Sequence, residues 1–277
     1  MNEDIRIRLA HERTDCDACV LLQRAVWGLE DLEITSAIQL ISGLQAGGLL
    51  HVAEGAQGDL LGFAYAFPAW REGLPGLRSE LLAVLPAHQQ RGVGARLKWA
   101  QREEALRRGL TLVHGVFDPL QARNAHLFLR RLGTVGTAFH ENAYGVTSSP
   151  LHHGLPTDRL EVRWDLQAPE VEELARAGEL PGTVQAPELQ HVNEVRWQAG
   201  WPVTLAPNLE LEDAELLLEI PPEWDVLCQA APRVAQNWHE QVRRALRHYM
   251  GRGWRAVGFY PTEDRGRRRP FYLLRRA

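Results

Sequence analysis

The stretch that most constrains the fold is residues 81–95, which read LLAVLPAHQQRGVGA. Five apolar residues predict a buried strand, and the strand is expected to end at Pro86, since proline cannot donate to a ladder. A loop with two glycines follows and opens into an amphipathic helix over 94–108, which Gly109 ends. A strand, a glycine loop and a helix in this order bring backbone amides together at a helix N-terminus. The sequence therefore predicts an anion-binding site here.

This loop lacks the patterns of two widespread phosphate sites. It has no Gly-Lys-Ser/Thr, so it is not a P-loop. It has no third glycine at the spacing G-x-G-x-x-G and no acidic strand end roughly 20 residues further on, so it is not a dinucleotide fingerprint. Gly-x-Gly alone therefore does not identify the ligand, and the flanking residues have to be considered.

With its flanking residues, the loop resembles the signature of the GCN5-related N-acetyltransferase (GNAT) superfamily. In that signature a strand with a bulge precedes Gln/Arg-x-x-Gly-x-Gly/Ala, and residues 89–94, Gln-Gln-Arg-Gly-Val-Gly, match it at every position. The bulge is expected near Val84. The order of predicted strands and helices over residues 5–166 is also the order of the family, so the resemblance extends over the first part of the chain.

The resemblance implies an α+β fold for residues 1–166, a mixed and mostly antiparallel sheet flanked by helices that binds acyl-CoA. Residues 167–190 are rich in proline and acidic side chains and predict a connector with one short helix. Residues 191–277 predict a smaller, mixed α/β domain in the order strand, long helix, strand, strand. This is the order of half an acetyltransferase core, so one interpretation is a degenerate half-repeat. Pro-Pro-Glu-Trp-Asp at 221–225 replaces a glycine loop, so no cofactor is expected there.

The resemblance also implies how acyl-CoA binds. The backbone amides of residues 90–95 would hold the pyrophosphate, and the strand backbone at Ala83 and Val84 would pair with the pantetheine arm. An amide near Val84 would face the thioester oxygen as an oxyanion donor. Asn124 either hydrogen-bonds the pantetheine or the phosphates or caps its own helix. The expected cofactor-binding residues are Ala83, Val84, Gln89, Gln90, Arg91, Gly92, Val93, Gly94, Ala95 and Asn124.

Two residues are candidates for the proton transfers of such a reaction. Glu80 lies in an otherwise apolar strand, where a carboxylate is costly unless it is used or paired, and it is the candidate base. The alternative is an ion pair with Arg78 or Arg71. Family members often have a tyrosine that protonates the leaving thiolate, but the corresponding residue here is Leu129. Tyr144 is the candidate substitute, and the alternative is an aromatic side chain packed at a turn.

These residues predict an acyl-CoA-dependent N-acyltransferase that acts on a primary amine of a small molecule, such as an amino acid, by direct attack. The expected donor is acetyl-CoA, and no metal is expected. Two alternatives stay open. Succinyl-CoA or another acyl-CoA is the first, because the arginine-rich residues 243–276 suit an acidic group. The second is a CoA-binding sensor or scaffold that has lost catalysis.

Composition limits the partners and the compartment. The net charge of −4 gives no basic field for nucleic acid or an anionic membrane. No apolar run reaches the roughly 18 residues that a membrane span needs. The N-terminus lacks the apolar core of a secretory signal, so a cytoplasmic protein is expected. The oligomeric state stays open, with a homodimer as one candidate.

Lysine and cysteine usage narrow the chemistry further. Of 31 basic residues only Lys98 is a lysine, and the sequence places it on an exposed helix, which argues against a Schiff base. Cys16 and Cys19 form a lone C-x-x-C, which is interpreted as two small buried side chains one helical turn apart. His152 and His153 are interpreted as part of a solvent loop rather than as a metal pair.

Overall fold

The computed structural model of the chain describes residues 5–145, 147–150, 154–178 and 182–277. The chain divides into two compact units. The first consists of Met1–Gly115, Thr147–Leu151 and Trp164–Ala175, and the second of Val116–Val146, His152–Arg163 and Arg176–Ala277. This division differs from the predicted boundaries after residues 166 and 190. The reason is that β6 (Val135–His140) pairs with a C-terminal strand, through Gly136 and Ala256, and so belongs to the second unit.

The first unit is a mixed sheet with helices on both faces. Its strands follow the order β1-β2-β3-β4-β5, and all neighbours are antiparallel except β4 and β5, which are parallel. Its elements are β1 (Arg6–Leu9), α1 (Arg13–Trp27), α2 (Ala37–Gln45), β2 (Leu49–Glu54), β3 (Leu60–Arg71), β4 (Leu74–Val84), α3 (Val93–Arg107), β5 (Leu112–Phe117) and α5 (Pro169–Ala177).

Successive side chains of β3 point to opposite faces of the sheet, and helices cover both faces. Phe63 packs against α1 and α2, while the next residue, Ala64, faces the side that Leu97 of α3 covers. Strand β3 is therefore apolar on both sides. The predicted hairpin of β2 and β3 is confirmed, and so is the predicted helix after the glycine loop, which is α3.

The second unit contains a second set of mostly antiparallel strands, in the order β7-β6-β12-β13-β11-β8. A separate hairpin joins β9 and β10. Its elements are α4 (Ala122–Ala125), continued by a π-helical turn at His126–Arg131, then β6, β7 (Arg159–Asp165), β8 (Gln190–His191), β9 (Val195–Gln198), β10 (Trp201–Thr204), β11 (Glu215–Glu219), α6 (Trp224–Ala230), α7 (Pro232–Gly251), β12 (Trp254–Asp264) and β13 (Arg267–Arg276).

The predicted C-terminal order of strand, long helix, strand, strand is confirmed by β11, α7, β12 and β13. Strand β13 returns between β12 and β11 and pairs with both. Helix α7 buries Trp238, Leu246 and Tyr249 in the core of this unit. None of the helices in the described part of the chain combines the length and the apolar character that crossing a membrane requires.

Candidate active site

The predicted anion-binding loop forms at the N-terminus of α3. A short 3-10 turn, Pro86–His88, follows β4, and Gly92 caps α3 with a left-handed backbone (φ 79°). Gln90 is also left-handed (φ 59°). Left-handed residues in a turn direct successive amides toward one side of the loop, where they form a concavity for an anion. The requirement for glycine at position 92 is conformational, because no atom lies within 4 Å of the place where a Cβ would stand.

The first turn of α3 has amides with no acceptor in the helix. The first intrahelical hydrogen bond runs from Arg96 N to Gly92 O, at 3.0 Å. The amides of Val93, Gly94 and Ala95 precede it, and Gly92 has no side chain to cap them. These amides and the helix dipole place partial positive charge at the loop. The loop therefore fits a pyrophosphate group.

Gln89, the first residue of the motif, connects the loop to the sheet. Its Nε2 donates to Val84 O at 2.8 Å, which fixes the loop to the end of β4. Arg91, two residues further on, is exposed. The motif thus holds the position of the loop as well as supplying its amides.

Strands β4 and β5 part at Ser79. Their parallel ladder runs from Leu77 and Val113 to Ser79 and Gly115. Strand β4 continues beyond this ladder to Val84, so residues 80–84 have no β5 partner in the ladder that the structure describes. The side of residues 80–84 that faces away from β3 is called the open edge of β4 below. An extended ligand can add to such an edge by main-chain hydrogen bonds.

The register of β4 on β3 shows which residues use the open edge. Leu85 N donates to Leu61 O at 2.8 Å, and two residues earlier Ala83 pairs with Phe63. Because alternate residues direct their backbone groups to opposite edges, Ala83 is bonded to β3, while Leu82 and Val84 direct theirs to the open edge. The structure therefore places Leu82, rather than the predicted Ala83, beside Val84 on this edge.

The bulge of β4 lies at Glu80, and the prediction of a bulge near Val84 is wrong. The register passes from Tyr65 opposite Leu81 to Ala66 opposite Ser79, which leaves Glu80 as the extra residue. A bulge bends its strand and strengthens the local twist. Here it lies directly after the last residue pair of the β4–β5 ladder. The bulge thus accounts for the point at which the two strands part.

Glu80 carries its carboxylate at this bulge and is exposed. Its Oε2 accepts a hydrogen bond from Arg78 Nε at 2.7 Å, so the predicted ion pair with Arg78 is present. Glu80 is also close enough to the buried Tyr65 to help raise the pKa of that phenol, although burial is the larger cause. Strand β4 therefore presents an ion-paired carboxylate next to its open edge.

Asn124 lies in the second unit, near the start of α4. Gln121 is the N-cap of this helix, and Asn124 N donates to Gln121 O at 2.9 Å. Asn124 is therefore inside the helix, and the alternative that it caps its helix is wrong. Leu129, at the position where the family often has a tyrosine, is buried in the core of this unit.

Tyr144 also lies in the second unit, in a turn after β6. Its backbone is fixed because Tyr144 N donates to Thr157 Oγ1 and Ala143 N donates to Thr157 O, both at 2.9 Å. The ring is 49% exposed, and the Arg159 guanidinium lies 5.3 Å from its centroid. This phenol is therefore held at the surface of its unit rather than packed in a core.

The C-x-x-C motif of α1 offers no reactive site in the described part of the chain. Cys16 and Cys19 are free, buried thiols in α1, and burial raises the pKa of both, so they favour the unreactive thiol form. Within the described ranges, no three His, Cys, Asp or Glu side chains meet as metal ligands. His152 and His153 lie outside those ranges.

Several arginines of the arginine-rich segment are bound to carboxylates of the second unit. Arg269 makes two hydrogen bonds to Glu219, at 3.0 and 2.6 Å. Other pairs have the same character. They are Arg243 with Asp158, Arg275 with Glu215, Arg276 with Glu212 and Arg252 with Glu212. The arginine surplus therefore gives no specific support for an acidic acyl group.

Lys98 is buried, and the prediction of an exposed lysine is wrong. Its residue surface is 1% exposed, and α3 turns Leu97, Lys98 and Gln101 toward the sheet. Lys98 Nζ donates to Ser79 Oγ at 2.8 Å and also to Gln101 Oε1. Sequence reasoning missed this cluster because it treated a lone cation in a helix as solvated.

Comparison with known proteins gives a family for the first part of the chain. Residues 21–134 match the model described as the acetyltransferase (GNAT) family. No curated protein sequence matches the chain significantly.

Solved structures of low sequence identity align with part of the chain. The ribosomal-protein-S18-alanine N-acetyltransferase of Escherichia coli is 18% identical, with 58% of this chain and 94% of that chain covered and a TM-score of 0.46. YncA of Salmonella typhimurium, solved with its cofactor acetyl-CoA, is 21% identical, with 59% and 95% covered and a TM-score of 0.47. A GNAT acetyltransferase of Streptococcus pneumoniae is 16% identical, with 58% and 98% covered and a TM-score of 0.46.

The matched residues 21–134 contain β2 to β5, α3 and the glycine loop, and so include the whole candidate anion site and the open edge of β4. The predicted resemblance is therefore confirmed for residues 21–134, which match the acetyltransferase (GNAT) family.

Proposed function

We propose that this protein is an acetyl-CoA-dependent N-acetyltransferase that acts on a primary amine of a small molecule. The observation that carries the proposal is the pair formed by the α3 loop and the open edge of β4. One offers unpaired amides to a pyrophosphate, and the other offers strand-like backbone groups to a pantetheine arm. Both belong to one strand–loop–helix segment in the first unit.

In this proposal each part of the segment has a separate task. The amides of residues 90–95 bind the pyrophosphate. Leu82 and Val84 hydrogen-bond the pantetheine, and the Val84 amide donates to the thioester oxygen as negative charge develops on it. An acyl thioester is already activated, so orientation of the amine supplies most of the rate gain.

One side chain is proposed to move a proton. Glu80 takes a proton from the ammonium of the acceptor through water, since this residue is exposed. The neutral amine then attacks the thioester carbonyl, the carbon–sulfur bond breaks, and the thiolate takes its proton from water. A thiolate is a tolerable leaving group, so this last transfer contributes the least.

The proposal is tested first by thermal unfolding with CoA, acetyl-CoA and succinyl-CoA. A ligand at 100 times its Kd stabilises the protein by about 2.7 kcal/mol, which raises Tm by several degrees. We expect acetyl-CoA to stabilise most and free thiol to appear when a panel of amines is added. Stabilisation without thiol release from any amine would favour the sensor alternative. No stabilisation by any of the three ligands would overturn the proposal.

Glu80→Gln tests the proposed base. General base catalysis contributes typically about 10²–10⁴-fold, and we expect a loss in kcat of about 100-fold, near the low end, because water has access to this carboxylate. KM for acetyl-CoA should stay unchanged. Arg78→Met is the matched control, since it breaks the same 2.7 Å ion pair but leaves the carboxylate. Equal losses in the two variants would mean that the ion pair, and not the base, is what matters.

A further inference from the structure

The only lysine of the chain is at the centre of a buried polar cluster in the first unit. Lys98 Nζ contacts Ser79 Oγ at 2.8 Å and Gln101 Oε1, and it lies 5.2 Å from the centroid of the Trp164 ring. Lys98 and Gln101 come from α3 and Ser79 from β4, so the cluster joins the helix to the sheet.

The position of Ser79 gives this cluster a function beyond packing. Ser79 is the last residue of β4 that pairs with β5, and the next residue, Glu80, is the bulge. The lysine therefore holds β4 at the point where the two strands part. Every residue of the open edge lies within five positions of that hydrogen bond in sequence.

The surroundings of Lys98 favour an uncharged amine. Lys98 forms no ion pair with any carboxylate in the described part of the chain, and burial lowers its pKa to about 7. The nearby carboxylate, Glu104, is bound by Arg107 and Arg108. The nearby His51 has a pKa of about 4 because of burial, so it too is neutral at physiological pH.

An arginine is unsuited to this position. A guanidinium stays charged at every physiological pH and presents five donors, whereas the cluster offers two acceptors and a ring face. The compact amine of a lysine suits the Ser79 hydroxyl oxygen and the Gln101 amide oxygen, which both accept from it.

We propose that Lys98 is a positioning residue of the acyl-CoA site, which acts through Ser79 to fix the end of the β4–β5 ladder and to keep the Leu82 and Val84 amides aligned on the open edge. This inference rests on the proposed function, because it assumes that the pantetheine pairs with that edge. It assigns a role in binding to a side chain that never touches the ligand.

Affinity for CoA in a double-mutant cycle tests the inference. We expect Lys98→Met and Ser79→Ala each to weaken CoA binding about tenfold, and the double variant to bind no more weakly than either single one. Ser79→Thr, which keeps the hydroxyl, should bind CoA like the wild type. Glu103→Gln, an exposed change on the same helix, is the matched control. Additive losses in the double variant, or unchanged affinity in Lys98→Met, would overturn the inference.

Amide hydrogen exchange supplies a readout that does not depend on activity. In Lys98→Met and Ser79→Ala, the amides of Leu81 and Ala83, which face β3, should exchange faster, whereas those of β2 should be unchanged. Identical exchange at Leu81 and Ala83 in wild type and variants would also overturn the inference. If the wild type itself binds no CoA, the proposed function fails. If the wild type and the variants bind CoA equally tightly, only the inference about Lys98 fails.

A spectroscopic measurement on the wild type covers the case in which a variant does not fold. With isotope-labelled lysine, the chain gives one side-chain signal, which needs no assignment. We expect this signal to titrate near neutral pH and to shift when CoA is added. Titration near pH 10.4, the usual value of a solvated lysine, would overturn the inference.

Discussion

Replacing Gly92 with glutamate is expected to abolish CoA binding while the protein stays folded. The new carboxylate would stand at the N-terminus of α3, beside the amides of Val93 to Ala95 that are proposed to bind the pyrophosphate. Two unit charges about 4 Å apart near a protein surface repel by about 4 kcal/mol, which is roughly 1000-fold in affinity. The measurement is the CoA-induced rise in Tm, which should be absent in this variant at ligand concentrations that saturate the wild type.

The opposite end of the same helix offers a matched control. Gly109 follows α3 with a left-handed backbone (φ 75°), and it too has no atom within 4 Å of a Cβ position. Gly109→Glu and Gly92→Glu should therefore share a backbone strain of about 1–2 kcal/mol. Without ligand, the Gly109 variant should lose somewhat more Tm, because its carboxylate lies at the negative end of the helix dipole. Only the Gly92 variant should lose CoA binding. Loss of binding in both variants would mean that strain in α3, and not the anion site, is the cause.

Arg269→Met is expected to destabilise the second unit by about 3 kcal/mol. Glu219 is buried, and its side chain receives both hydrogen bonds of the Arg269 guanidinium. Removing one partner of a buried pair leaves a charge without compensation, which costs about 3–5 kcal/mol; the partial exposure of Arg269 places this case at the low end. The measurement is the free energy of unfolding in urea.

The loss of stability in Arg269→Met should depend on pH. Burial already raises the pKa of Glu219, despite the arginine beside it, so the folded state holds the proton more tightly than the unfolded state. Without Arg269 this pKa rises further. The penalty of the variant therefore grows as pH rises above the raised pKa that Glu219 has in the folded wild type, and it shrinks below that pKa.

Two further variants isolate the buried pair. Arg268→Met removes the neighbouring arginine, whose pair with Glu223 is exposed, and it should cost less than about 1 kcal/mol. The double variant Glu219→Leu/Arg269→Met removes both members of the buried pair and should recover most of the lost stability. A deficit that the double variant retains would show that the packing of the arginine stem, and not its charge, stabilises this unit.

The sequence predicted the parts of the fold in which local pattern and tertiary structure agree. Residues 81–95 specify strand, loop and helix through apolar runs and glycines, and the structure has all three. The same reasoning misplaced the bulge, because an extra residue in β4 depends on the register with β3, which is a long-range property. It also missed the hairpin of β9 and β10, whose strands are four residues each, β9 being largely exposed.

The candidate site was predictable in its loop and less so in its edge. The motif located the α3 amides. Assigning Leu82 instead of Ala83 to the open edge requires knowing which residues of β4 direct their backbone groups to β3, and the hydrogen bond from Leu85 establishes this. A signal for the buried lysine was present: Lys98 lies three residues before Gln101 and seven before Ala105, on the face that α3 buries. The apolar stem of a lysine can fill such a position.

Because Lys98 is both the single lysine and buried, cleavage at this residue reports on the opening of α3. An enzyme that cuts only after lysine has a single target bond in these 277 residues, in the middle of α3. Binding that bond in a protease requires the helix to open, because an extended segment must enter the protease cleft. The rate of cleavage into residues 1–98 and 99–277 therefore measures how often α3 opens. A ligand bound by the first turn of this helix would slow that cleavage.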